Sequence, residues 1–105
     1  MKIKETIMHY IGVYDGCEKR VIQRTIESHR SEFKNKDQAF LAVNECIIWL
    51  IKNKYIAMVN YNEMTDMQKR YFESDGGLIY SIIKRYNESE YLKEKYAQNC
   101  EGYGK

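Results

Sequence analysis

Proline is absent from all 105 residues, where average usage of roughly 5% would supply about five. Helices in this chain therefore carry no proline breaks, and a rigid all-β loop architecture is disfavoured. Cysteine is sparse. Cys17, Cys46 and Cys100 are odd in number, widely spaced and contain no C-x-x-C pair. With His9 and His29 they complete no metal-ligand spacing, so neither a metal nor a cofactor is expected. Free thiols in a reducing compartment are the simplest reading, with Cys46 in the core and Cys100 a minor candidate for a dimer cross-link. Long apolar runs are also missing. The longest, Cys46–Ile51, falls far short of the roughly 20 residues of a membrane span. The opening Met1–Tyr10 lacks the continuous apolar stretch of a signal peptide. A cytoplasmic protein without a membrane partner is the expectation.

A dominant charge sign is lacking too. Seventeen Lys and Arg stand against 15 Asp and Glu, a net +2, so global charge excludes neither nucleic acid nor a protein partner. Gly12 and Gly16 lack the rest of a phosphate-binding loop. Asp15, Ser28 and His29 form no recognisable nucleophile arrangement. An enzyme is not expected, and no small-molecule ligand is evident.

What remains is 44% hydrophobic and 30% charged, the composition of one globular domain. Ile3, Ile7, Tyr10 and Ile11 recur at helical spacing over Lys2–Val13, with Gly12 or Gly16 as the stop. Val21, Ile22 and Ile26 define a second helix over about Glu18–Ser28. Ser28–Lys36 reads as a turn or short helix anchored by Phe33. Asp37 is the expected N-cap of the strongest helix. There Phe40, Val43, Ile47, Leu50 and Ile51 make the stripe, and Leu41, Ile48 and Trp49 widen it. A helix so apolar is expected to be covered on several sides. It should end near Lys52–Lys54.

Tyr55–Tyr61 is rich in strand formers. Thr65-x-x-Gln68 resembles a capping box, which allows a short helix over about 66–72. The competing signal is Ser74-Asp75-Gly76-Gly77, an Asp-Gly turn between Lys69–Glu73 and Leu78–Ile83 that favours a β-hairpin. The second arm also fits a helical period. Ser89–Gln98 reads as a charged helix, and Gly102–Lys105 as a fraying end. The expected organisation is a domain over 1–88 with a helical tail over 89–105. The fold class is mainly α with a small β-hairpin (α+β), with an all-α bundle as the alternative.

The charge becomes informative once it is divided. Residues 19–36 hold Lys19, Arg20, Arg24, Arg30, Lys34 and Lys36 against Glu27 and Glu32, a net +4, while 37–75 carry a net −2. Basic residues gathered on one short stretch are the footprint of a phosphate-binding face. A solvated helix face with partial pairing is the plainer alternative.

Ala42-x-x-Glu45-x-Ile47-Ile48-x-Leu50-Ile51-x-Asn53-Lys54-Tyr55-Ile56 resembles the end of a recognition helix running into a wing strand. It is the pattern of winged helix-turn-helix domains in small phage, plasmid and archaeal-virus regulators. The resemblance spans about residues 3–84. It departs from the family in having Lys54 where glycine is usual, and in a stretch from Tyr55 to Gly77 long enough to demand an insertion or extra helix. It implies a sequence-specific double-stranded DNA-binding protein that acts as a transcriptional regulator. The first turns of the long helix would then enter the major groove, with Lys34, Asn35, Lys36 and Gln38 nearest the bases and Leu41, Asn44 and Glu45 beyond them. Arg20, Arg24 and Arg30 would clamp phosphates, and Lys69 and Arg70 would reach the backbone from the wing. Ten tyrosines, three of them at Tyr86, Tyr91 and Tyr96, suggest a contact surface and a homodimer. The alternative function is a small helical interaction module (an inhibitor, immunity or adaptor protein) that binds no DNA.

Overall fold

In the computed structural model, which describes residues 2–103 and the side chains of residues 2–97, five helices and two short strands surround one main core. The first helix, α1, spans Ile3–Val13 and buries Thr6, Ile7, Met8 and Ile11. Gly12 lies inside it. The stop comes later, where Asp15 and Gly16 take positive φ of 52° and 82° and the Gly16 N–H returns to the Ile11 carbonyl at 2.9 Å. Helix α2, Glu18–Ser28, buries Val21, Ile22 and Thr25. The turn that follows contains one 3-10 turn at Arg30–Glu32, with Phe33 half-buried beneath it.

Helix α3 spans Lys36–Lys52. Its N-cap is Asn35 rather than Asp37: the Asn35 side chain accepts the Gln38 N–H at 2.8 Å, and its backbone is extended at φ −153°. An asparagine two residues earlier offers the same oxygen as the aspartate, and the chain starts its helix from it. The buried side of α3 is Ala39, Val43, Ile47 and Leu50. Cys46 and Trp49 pack at the edge of the core, so the cysteine is half-buried, not central. Phe40, Leu41 and Ile48 are 51%, 63% and 51% exposed. The expectation of a helix covered on several sides is therefore corrected: one long side of α3 is open.

The strands are β1, Ile56–Met58, and β2, Tyr80–Ile82, paired antiparallel with Ile56 opposite Ile82 and Met58 opposite Tyr80. The protein is thus mainly helical with a small antiparallel sheet, and not an all-α bundle. A single bridge from Cys17 to Ile79 ties the α1–α2 connection onto the same sheet. The hairpin turn at Asp75-Gly76 does not exist. Residues Asp66–Asp75 form helix α4, so Lys69–Glu73 is helical and Lys69 and Arg70 lie on no wing strand. Thr65 and Gln68 make both halves of a capping box at the start of α4. Gly76, at φ 71°, caps its end. The Asp-Gly signal was that of a helix stop, since a type I′ turn needs positive φ at two residues and here only Gly76 has it. Met64 is buried with Cys17 and Ile79 in a second small cluster, against which Tyr71 packs.

The last helix, α5, spans Glu88–Tyr103. Tyr91 docks it onto Trp49 and Tyr86, with ring centroids 5.2 and 6.1 Å away. From Leu92 to Ala97 every side chain is exposed. Cys100 and the Gly102–Lys105 end fall outside the residues whose side chains are described.

Candidate nucleic-acid interface

The basic stretch divides into two groups. Arg20 and Arg24 line one polar depression of about 420 Å³ with Tyr14, Glu27 and Asp75. The Arg20 Nε lies 3.6 Å from the Asp75 carboxylate, and its guanidinium sits 5.1 Å from the centre of the Tyr71 ring. It therefore fastens α2 to α4. Hydrogen bonds from the Cys17 thiol and the Ser74 hydroxyl, together with Arg20, hold the Asp75 carboxyl below its usual range. Burial pushes the Cys17 thiol up, away from the reactive thiolate. Arg24 pairs with Glu27 at 3.3 Å.

The second group gathers at the start of α3. Arg30, Lys34, Asn35 and Lys36 surround a narrow cleft of about 130 Å³ whose floor is Ile26, Phe33 and Ala39. All three cations are exposed. Among the described residues no salt bridge involves them. Asn35 is engaged as the N-cap. The Gln38 Oε1 accepts the Lys34 backbone N–H at 2.9 Å, and Gln38 is exposed. The helix N-terminus itself carries partial positive charge from its unpaired N–H groups. Asp37 in the first turn offsets part of it.

A residue without a sequence motif sets this turn in place. His29 is 5% exposed. Its Nε2 meets the Thr6 hydroxyl at 2.6 Å, and its Nδ1 meets the Glu32 carboxylate. The ring so links α1 to the turn that carries Arg30 and leads to Lys34. Spacing along the chain did not reveal it, because Thr6 and His29 are 23 residues apart.

No family model, curated protein or solved structure matches the chain.

Lys69 and Arg70 sit apart from both groups, on α4. The Lys69 ammonium lies 5.2 Å from the Tyr61 ring centre. Among the described residues no group of three or more His, Cys, Asp or Glu is placed to hold a metal ion. No helix of the described residues is long and apolar enough to cross a membrane.

Proposed function

We propose that the protein binds double-stranded DNA, with the N-terminal turns of α3 presented to the duplex, in the manner of a winged helix-turn-helix regulator. The observation that carries the reading is electrostatic. Arg30, Lys34 and Lys36 crowd the positive end of the α3 dipole with no carboxylate bridged to them. Cations at that end weaken a helix by their mutual repulsion with the dipole, whereas an anion there stabilises it. An arrangement that costs stability when empty and gains it when a phosphate arrives is one suited to a phosphate-bearing partner.

The order of elements supports the same reading. Helix α2, a turn and α3 are followed by the β1–β2 pair, and the α1–α2 connection bridges to Ile79, the residue before β2. The long helix running into a strand is what the family resemblance implies; α4 stands between β1 and β2 as the extra helix the length of 55–77 demanded, in place of a tight wing hairpin. In this reading Arg30, Lys34 and Lys36 hold phosphates. Arg20 acts chiefly in joining α2 to α4, and Arg24 is paired within α2 to Glu27. The exposed stretch of α5 from Leu92, with Tyr96 at 69% exposure, is the surface proposed for a homodimer contact, which would present two α3 helices to two half-sites.

The test is the anisotropy of a labelled mixed-sequence duplex titrated with protein across a salt series. Three or four phosphate contacts give a slope of log affinity against log salt of about −3 to −4. Absence of binding at low salt overturns the proposal and leaves the interaction-module alternative.

A further inference from the structure

A groove of about 610 Å³ runs between α2 and α3. Helix α2 lines it through Lys19, Ile22, Gln23 and Ile26, and Phe40 and Asn44 of α3 form the facing wall. Steps of three and four residues keep the α2 wall on one straight stripe. The 11 residues of α2 make that stripe about 16 Å long. The floor is apolar: Ile22 is buried, Ile26 is half-buried and Phe40 is 51% exposed. The rim is charged, and its two signs are unequally engaged. Of its carboxylates, Glu18 accepts from the Tyr80 hydroxyl and Glu27 pairs with Arg24. Lys19, Arg30 and Lys36 also line the groove and are exposed. Among the described residues none of the three has a salt bridge. Only Asp37, in the first turn of α3, is left on the rim to set against them.

We infer that this groove receives an amphipathic helix of a partner protein, one whose apolar stripe is flanked by acidic residues. A groove between two helices is filled by a third at an axis separation of about 8–10 Å. Such a helix seats apolar anchors at i, i+4 and i+7 on the floor. The exposed half of Phe40 leaves water only when apolar surface arrives. Charge fixes the sign of the partner. Lys19 stands in the first turn of α2, whereas Arg30 and Lys36 meet beside Ile26 near its end. A helix lying along the groove therefore meets a cation near each of its own ends. Carboxylates there find unbridged partners, and lysines there find like charge. A phosphate chain would satisfy the cations but leave Ile22, Ile26 and Phe40 uncovered. Binding of the helix does not rest on the DNA-binding reading. The two share Arg30 and Lys36, so helix and duplex exclude each other.

The experiment uses three labelled peptides of about 14 residues, long enough to span α2. The first carries leucines at steps of three and four with glutamates on both flanks. The second has lysine for each glutamate, and the third is the first with its order scrambled. Each is titrated at low salt with the wild-type chain, Phe40→Ala and Lys19→Gln, and a mixed-sequence duplex is titrated alongside. Thermal melts check that both variants are folded. The acidic peptide is expected to bind at least about ten-fold more tightly than the other two. Phe40→Ala should weaken it about ten-fold and leave duplex affinity unchanged. Lys19→Gln should weaken the peptide about two- to five-fold. Equal binding of the acidic and lysine peptides, or an acidic peptide indifferent to Phe40→Ala, overturns the inference while the DNA-binding reading stands. A duplex that binds where no peptide does has the same consequence. Self-association of the chain that Phe40→Ala abolishes also overturns it, and assigns the groove to a second copy. Binding of the acidic peptide without binding of the duplex upholds the inference and overturns the DNA-binding reading alone.

Discussion

The Gly16 carbonyl accepts the Tyr80 N–H at 2.9 Å, and a Cβ on Gly16 would stand 1.8 Å from the Tyr80 carbonyl oxygen. The α1–α2 connection thus touches the sheet backbone to backbone, with no room for any side chain. Gly16 also sits at φ 82°. Gly16→Ala combines a steric clash with a conformation that L side chains avoid, and each fault is worth about 1–3 kcal/mol. The expected result is a loss of at least about 3 kcal/mol in urea unfolding. Gly12→Ala, on an open helix face with nothing within 4 Å, should instead stabilise by about 0.5–1 kcal/mol.

Lys54 shows the opposite relation between residue and backbone. Helix α3 closes with the Tyr55 N–H on the Leu50 carbonyl at 2.9 Å and the Lys54 N–H on the Ile51 carbonyl at 3.1 Å. That is the Schellman pattern, and its left-handed position is held by a lysine at φ 63°. A left-handed backbone costs a side-chain-bearing residue roughly 1–2 kcal/mol, against which glycine loses more entropy on folding. Lys54→Gly is therefore expected to raise the urea midpoint, by the equivalent of about 0.5–1 kcal/mol. A fall would show that the lysine side chain contributes more than its backbone costs.

The first three helices were legible because their apolar residues repeat at three and four, while their exact ends, such as Asn35 and Lys54 on α3, were not. Thr65 and Gln68 announced α4 correctly, but the Asp75-Gly76 pair that follows has two meanings. Glycine in the left-handed region serves a hairpin turn and a helix C-cap alike, and only the partner of β1 decides between them. The open side of α3 was illegible for a similar reason. Leu41 and Ile48 widen an apolar stripe whether or not anything covers them, and coverage depends on where α5 goes. The division of the basic stretch was hidden as well. Nothing near Arg20 in the chain points to Asp75, which lies far along the sequence on another helix.

His29 joins α1 to the turn before α3, so its removal should be felt in both stability and binding. His29→Leu keeps apolar bulk but leaves Glu32 and the Thr6 hydroxyl without the ring. Hydrogen bonds of this kind, one of them to a carboxylate, cost about 2–4 kcal/mol together when removed. Chemical denaturation should show that loss. DNA affinity, measured well below the unfolding midpoint, should fall several-fold as Arg30 and Lys34 lose their fixed placement. An unchanged affinity would show that the turn is held by Phe33 alone.

Alkaline pH should weaken the fold through Tyr86. Burial, reinforced by Glu88, pushes its phenol up to about 12, while an unfolded tyrosine ionises near 10. Between those values the unfolded chain has released the proton and the folded chain retains it. Stability therefore falls with rising pH: the contribution is complete below about pH 10 and lost as pH climbs to about 12. Tyr86→Phe keeps the ring against Tyr55, at a centroid distance of 5.1 Å, and removes the titrating group. Urea midpoints measured from pH 9 to 11.5 should decline less steeply in this variant. Tyr55 and Tyr80, whose phenols burial also raises, keep the slope from vanishing.

The charges at the start of α3 make a prediction with two opposite signs. Lys34 and Lys36 oppose the helix dipole, and Arg30 adds to the same field. Replacing both lysines by glutamine removes that repulsion while the backbone bond from Lys34 N–H to Gln38 Oε1, which any residue at 34 can make, persists. Each exposed charge near a helix end is worth about 0.3–1 kcal/mol, so Lys34→Gln with Lys36→Gln should raise stability by about 0.5–2 kcal/mol, most clearly at low salt. The same variant should bind duplex DNA more weakly and lower the salt slope by about 2, roughly one unit for each phosphate that is no longer neutralised. Arg20→Gln should do the reverse: it breaks the pair with Asp75 and destabilises, yet leaves the salt slope almost unchanged. A more stable Lys34/Lys36 variant that binds DNA with an unaltered slope would move the phosphate contacts away from α3 and onto the Arg20–Arg24 depression.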